Sequence, residues 1–405
     1  MIALDLSRLL SRAGRGTPTG IDRVELAYAE HLIATGTPHC FAALTPDARL
    51  ALLPRPIAEE FVREIGAAWR GPLDLREQER RVRRVARRAR FALLTENERR
   101  LVGVLRDSSG GSVYLLVSHH HLERHRVIAR LKTRSRARFV CLIHDLIPVE
   151  FPEYAKPGQA ANHLRRIETA TALADAFIVN SAVTGAALQP HLDRAGRPSP
   201  VLVAPFGADL PSVTGEGASP IGRPYFVYVG TIEARKNHLL LLNLWRRMSC
   251  DLGERTPVLV LVGQRGWEVE NVIDMLDRCP ALRDTVIEHN ALPDAAMVPL
   301  LSGARALLLP SFAEGFGFPV IEALQLGVPV LCSDIPALRE TGGTVPEFLD
   351  PLDGPGWHRA LLDYATSESP RRAAQLARLA IWSPPEWEAH FAIVDRFIAE
   401  ICAQR

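Results

Sequence analysis

The sequence predicts an α/β protein built from two doubly wound domains, and three observations predict it. A chain of 405 residues exceeds what one hydrophobic core usually supports. Apolar residues make up 47% of it and charged residues 23%, the balance of a globular chain that can fill two cores. Continuous apolar runs alternate with helical patterns along both halves, as expected of parallel strands buried on both faces.

In the first half the strand-like runs are Ile2 to Leu6, Val113 to Val117, Phe139 to Ile143, Ala176 to Val179 and Val201 to Ala204. In the second they are Tyr225 to Val229, Val258 to Val262, Ala306 to Leu309 and Val328 to Cys332. Between them "PFGADLPSVTGEGASPIGRP" is rich in Pro, Gly and Ser and has no periodicity, which marks a linker at 206–223. The expected division is a first domain at 1–205 and a second at 224–383. Near the end, Trp387, Phe391, Val394 and Phe397 recur at helical spacing, so 384–403 reads as a helix whose apolar face packs in a core.

Composition excludes several classes. Six cysteines are scattered without a Cys-x-x-Cys pair, so neither a zinc site nor a disulfide framework is expected, and a reducing cytoplasm fits. The start "MIALDLSRLL" shows no basic leader, and no apolar run approaches the roughly 20 residues that span a bilayer. A net charge of +2 is too small for nucleic acid as a partner. Charge is concentrated in "REQERRVRRVARRAR", residues 76–90, with eight arginines against two glutamates and Val82, Val85, Ala86 and Ala89 on one helical face. This is a basic amphipathic helix, either a solvated surface element or one that meets anionic lipid headgroups or an acidic acceptor at the membrane periphery.

Two Rossmann-like halves invite a dinucleotide reading, yet "GRGTPTG" carries glycines at 14, 16 and 20, with Thr19 where the fingerprint needs its third glycine. No P-loop occurs either. In "SHHHLERH", His119, His120, His121 and His125 have no carboxylate or cysteine at ligand spacing, so no metal is expected there.

The most informative stretch is "AEGFGFPVIEALQLGVPV", residues 313–330. Pro319 suits a first helical position and Gly327 a C-terminal stop, placing Glu314 on a loop and Glu322 in the first helical turn. Gly315 and Gly317 flank Phe316 and let backbone amides approach a ligand closely. A diphosphate at the helix start, with two carboxylates accepting from sugar hydroxyls, would satisfy every element, so the stretch points to nucleotide-sugar binding.

Together with "YVGTIEARKNHLLLL" (228–242), "LVLVGQRGWEVENV" (259–272) and the block from Asn290 to Glu340, this stretch resembles the retaining glycosyltransferases of family 4. Within that family it resembles bacterial mannosyltransferases of polysaccharide assembly. The resemblance implies the GT-B architecture, two Rossmann-like domains facing a central cleft. It implies that Arg235 and Lys236 neutralise the donor diphosphate and that Glu322 holds the ribose. Glu314, with the amides of Gly315, Phe316 and Gly317, would hold the transferred sugar, and Leu292 would border the base. Thr231 stands where many relatives carry arginine, which shifts the phosphate charge onto Arg235 and Lys236. In the first domain, "TPTGIDRVELAYAEHL" resembles the family's glycine-containing loop through Gly20. "CLIHDLIPVEFPEY" offers His144, next to Asp145, as the contact to the transferred sugar. Ser181, after Asn180, reads as a helix cap.

The implied chemistry is transfer of a hexose with retention of configuration, by a same-face route without Glu314 as an established nucleophile. No metal and no cofactor beyond the nucleotide-sugar donor is expected. GDP-mannose is favoured over a UDP-sugar or deoxysugar donor, and the acceptor is a glycan or lipid-linked saccharide. The alternatives are a nucleotide-sugar epimerase of the same architecture and a non-catalytic nucleotide-sugar-binding module. A pyridoxal-dependent phosphorylase fits poorly with so few lysines.

Overall fold

A computed structural model of the protein describes residues 1–71, 75–95, 98–208, 221–290 and 292–403. The side chains of residues 75 and 76 also lie outside the description, as does 209–220 of the expected linker.

The first half forms a seven-stranded sheet from β1 (Ile2–Asp5), β2 (His39–Leu44), β3 (Leu50–Leu53), β4 (Val113–Leu116), β5 (Arg138–Ile143), β6 (Ala176–Val179) and β7 (Val201–Val203). Its spatial order is β3-β2-β1-β4-β5-β6-β7. All neighbours are parallel except β2 and β3, which pair antiparallel from Phe41↔Leu53 to Leu44↔Leu50. The second half forms a six-stranded, wholly parallel sheet from β8 (Tyr225–Val229), β9 (Val258–Val262), β10 (Val286–His289), β11 (Leu307–Leu309), β12 (Val330–Ser333) and β13 (Glu347–Leu349). Its order is β10-β9-β8-β11-β12-β13.

Both sheets grow outward from a first strand in two directions, so each has one point where the strand order reverses: between β1 and β4, and between β8 and β11. In open α/β sheets that crevice, beyond the carboxyl ends of the strands, is where ligands bind. The central strands of the second sheet are apolar because helices cover both faces. Val258, Leu259, Val260 and Leu261 are at most 1% exposed, as are Leu307, Leu308 and Leu309.

The sequence pattern missed β2, β3, β10 and β13. The β2–β3 pair is a hairpin whose turn includes Ala48 at φ 59°, so its two strands read as one broken run. β10 and β13 are edge strands with no fully buried residue, Val286 and Phe348 being half-buried and Ile287 exposed, and an edge strand lacks the continuous apolar signal.

By its internal contacts the chain divides into one unit of Met1–Glu150, Pro157–Gly207 and Glu386–Arg405, and a second of Phe151–Lys156 and Ala208–Pro385. The short segment Phe151–Lys156, which the sequence places in the first domain, belongs to the second. There the Tyr154 ring stacks on Phe312 at 5.9 Å, Trp267 Nε1 donates to the Tyr154 carbonyl at 3.2 Å, and Lys156 Nζ lies 4.7 Å from the Trp267 ring centroid.

The final helix, Trp387–Ala403, packs in the first unit. Its Phe391 stacks on His31 with centroids 3.8 Å apart, and His390 bridges the Pro205 carbonyl at 3.0 Å and the Tyr28 hydroxyl at 2.9 Å. Gly207 is required where this helix begins, since a Cβ there would fall 2.3 Å from the Trp387 amide nitrogen. Among the described residues no helix is long and apolar enough to cross a membrane.

Candidate functional site

In the second unit β8 ends at Val229, and the chain turns through Gly230, at φ 148°, into Thr231 and Ile232. Glu233 follows, then a 3-10 turn at Ala234–Lys236. Asn237 at φ 56° breaks that turn from the helix His238–Leu252. Arg235 and Lys236 therefore sit on a tight turn before the helix. From the other side of the crevice β11 leads through Pro310 to Ser311, Phe312, Ala313 and Glu314. The two loops are laced together by the Phe312 amide, which donates to the Arg235 carbonyl at 2.8 Å.

The side chains complete the joint. Lys236 Nζ donates to Glu314 Oε1 at 2.5 Å, Arg235 Nη1 to Glu314 Oε2 at 3.0 Å and to the Ala313 carbonyl at 2.7 Å, and Ser311 Oγ to Glu314 Oε1 at 2.7 Å. Arg235 Nε meets Glu233 Oε1 at 2.7 Å. Side-chain exposure is 9% for Lys236, 7% for Glu314 and 6% for Glu233, so this is a buried, charge-balanced cluster of two cations and two carboxylates. Burial alone would raise the Glu314 carboxyl, but Lys236 and Arg235 outweigh it and hold the group down at about 2. Burial, then the Arg235 charge, lowers the Lys236 ammonium against the pull of Glu314 and Glu233.

Immediately after Glu314, the chain reaches the helix Phe318–Gln325, with Pro319 in its first turn and Gly317 as its N-cap at φ 94°. Gly317 cannot be replaced freely, because a Cβ would fall 2.5 Å from Leu338 Cδ2. Phe316 is buried, and its carbonyl accepts from Thr341 Oγ1 at 2.5 Å, which fixes the loop. Glu322 lies in the second turn of this helix and is 8% exposed, a correction to its expected place in the first turn. Leu292 packs against the core of this unit beside the helix Asp294–Ser302. The sequence reading missed Glu233 and Ser311. Each stands within three residues of a residue it did single out, a spacing that suits loop residues closing on one ion pair.

In the first unit, Gly20 opens the helix Gly20–Thr35 behind a capping box made by Thr19 and Asp22. Asp22, fully buried, accepts from Arg8 Nε at 2.7 Å and Arg12 Nε at 3.0 Å, so two arginines stand at this helix start. At the β1/β4 crevice Asp5 Oδ2 accepts from the Tyr114 hydroxyl at 2.9 Å, and His121 Nε2 lies 3.1 Å from the same hydroxyl. Glu25 accepts from the Leu9 amide at 2.9 Å and is pushed up to about 8 by burial and the nearby Asp5 charge. Of these four buried polar groups the sequence reading weighed only His121, and that for a metal; Asp5, Glu25 and Tyr114 were not singled out.

His144 follows β5. Its ring Nε2 lies 2.8 Å from the Val117 carbonyl, its amide donates to His119 Nε2 at 3.2 Å, and its carbonyl accepts from Asn180 Nδ2 at 2.9 Å. With Nε2 donating to that carbonyl, the tautomer leaves Nδ1 as an acceptor. Burial holds the imidazole down at about 4, so it is neutral near pH 7. Ser181 caps the helix Ala182–Ala195 by accepting from the Thr184 amide at 3.1 Å. Among the described residues no three His, Cys, Asp or Glu side chains converge as a metal-ligand set.

Residues 215–343 match the family described as Glycosyl transferases group 1. The Serotype-specific mannosyltransferase WbdA of Escherichia coli is 30% identical over 224 residues, 51% of this chain and 27% of that protein. The O-antigen chain mannosyltransferase B of Escherichia coli is 34% identical over 165 residues, 40% of this chain and 42% of that protein. The chain thus spans less than half the length of these curated relatives. Sucrose-phosphate synthase from Thermosynechococcus elongatus superposes with a TM-score of 0.64 at 18% identity, covering 100% of this chain and 99% of that one. The fold is of the GT-B class, and the chain resembles bacterial mannosyltransferases of polysaccharide assembly.

Proposed function

We propose that the protein is a glycosyltransferase that moves a hexose from a nucleotide sugar to a glycan or lipid-linked saccharide, with retention of configuration and without a metal. The observation that carries this reading is the Arg235–Lys236–Glu314 cluster at the β8/β11 crevice, beside the glycine-flanked start of the Phe318–Gln325 helix. Glu314 uses one of the three ammonium donors of Lys236, leaving two for a diphosphate. Held in place by Glu314 and Glu233, both cations are preorganised for the charge that develops on the leaving group. In the reaction the bond between the sugar's anomeric carbon and the diphosphate oxygen breaks. The acceptor oxygen bonds to that carbon on the same face, and its proton passes to the departing phosphate. Glu314 and the Gly315–Gly317 backbone hold the sugar, Glu322 the ribose, and Leu292 borders the base.

Mannose from GDP-mannose is the favoured donor, supported by the two mannosyltransferase relatives named above. The test is a thermal-shift panel of GDP, UDP, ADP and their sugar conjugates in the presence of a chelator, followed by turnover with the stabilising donor. Ligand that binds only the folded state raises the melting temperature by mass action. GDP and GDP-mannose should stabilise the protein, and Lys236→Met should weaken the effect about 10- to 100-fold in affinity, the worth of one charged hydrogen bond. A UDP-sugar that stabilises and turns over, with GDP-mannose inert, would overturn the donor. If no nucleotide stabilises the protein, the transferase reading fails.

A further inference from the structure

The basic helix Leu75–Thr95 presents two distinct faces. Val82, Val85, Ala86, Ala89 and Leu93, each at most 4% exposed, seat it in the first unit against the helix Arg55–Arg70. On the opposite face Arg80, Arg84, Arg87, Phe91 and Leu94 follow one another at alternating spacings of four and three residues, which aligns them in one stripe. At about 1.5 Å per residue the stripe is about 21 Å long. Phe91 is 69% exposed and Leu94 65%.

The flanking arginines are largely neutralised within the fold. Arg81 pairs with Glu77 at 3.2 Å, Arg83 with Glu79 at 3.4 Å and Arg88 with Glu60 at 2.9 Å. Arg84 and Arg87, in the middle of the stripe, have no hydrogen bond or ion pair among the described residues. Free cations in line with two protruding apolar side chains form a straight edge that suits a plane, with the guanidinium groups at its charged level and Phe91 and Leu94 beneath it.

We infer that this stripe docks the protein on a bilayer rich in anionic phospholipids, the arginines meeting headgroup phosphates and Phe91 and Leu94 entering the acyl boundary. Charge complementarity decides the occupant. A second copy would set like-charged stripes against each other, and a nucleic acid would leave the two apolar tips without a partner. The inference does not depend on the proposed reaction, because its readout is lipid binding.

The experiment is vesicle flotation of the full chain with phosphatidylcholine alone and with about 30% phosphatidylglycerol. The protein should float with the anionic vesicles, lose binding as salt rises, and ignore phosphatidylcholine. Arg84→Ala with Arg87→Ala should weaken binding about 30-fold, from about 1 kcal/mol per arginine near an anionic surface. Phe91→Ser with Leu94→Ser should weaken it as well while keeping its salt dependence, and unchanged thermal melts of both variants establish that they fold. Equal binding to both vesicle types, no binding to either, or variants that bind like the parent would overturn the inference. So would light scattering that shows a dimer lost on Phe91→Ser.

Discussion

Replacing Glu314 by glutamine removes one charge from a buried, balanced cluster while keeping the side chain's shape. Lys236, Arg235 and Ser311 together hold the native carboxylate at about 2 against 4.5 for an unperturbed glutamate, overcoming the upward push of burial. That interval, at about 1.36 kcal/mol per pH unit, is worth about 3 kcal/mol of folding stability. Because folding depresses this pKa, the contribution is complete above 4.5 and is lost as pH falls toward about 2. Glu314→Gln is therefore expected to be about 3 kcal/mol less stable than the parent near pH 7, with the gap roughly halved near pH 3. The magnitude agrees with the roughly 3–5 kcal/mol typical of leaving a buried ion pair half-occupied, here Lys236 with its carboxylate gone. Urea titrations of both proteins across this range provide the assay, read on the transition the substitution shifts, since a two-unit chain need not unfold in one step. A deficit under about 1 kcal/mol near pH 7, or one that stays undiminished near pH 3, would refute the account of the cluster.

Two further outcomes follow from the same geometry. Gly317→Ala combines a φ of 94° with a Cβ 2.5 Å from Leu338 Cδ2 and should cost about 1–3 kcal/mol or more, whereas Gly343→Ala, at φ 59° with no atom within 4 Å, should cost only about 1 kcal/mol; thermal melts of the two side by side check this. His144 is held at about 4 in the folded chain against 6.5 when unperturbed, so the unfolded chain binds the extra proton between those values and stability should rise with pH across that window. His144→Gln should flatten that rise in urea titrations at matched pH, and an unchanged slope would show that the imidazole is not the buried neutral group described here.

The parts that the sequence made legible are those in which one physical requirement dominates a run of residues. Strands β4, β6, β8 and β9, and β5 from Phe139 onward, are buried on both faces, which favours apolar residues throughout, and the run appears in the sequence as itself. Gly317 and Pro319 are equally legible, because a positive φ and a first-turn helix position restrict the residue type locally. The short antiparallel β2–β3 hairpin and the edge strands β10 and β13 answer to no such restriction. Their identity is set by neighbours distant in the chain.

The ionic cluster divides along the same line. Glu314 and Lys236 stand out as charged residues next to glycines and apolar strand ends, but their mutual 2.5 Å contact spans 78 residues and exists only because β8 and β11 are neighbours in the sheet. Sequence reasoning gave Arg235 and Lys236 to a phosphate and Glu314 to a sugar, as separate roles. The fold joins them first to one another, and this changes the chemistry that a ligand meets. On the proposed function, a diphosphate entering the crevice would find cations already oriented by carboxylates and would not have to organise them itself. Removing Glu314 should then loosen the grip on the phosphate as well as on the sugar. Two residues assigned to different parts of the donor would lose affinity together, and a double substitution of Lys236 and Glu314 would cost less than the sum of the two single ones.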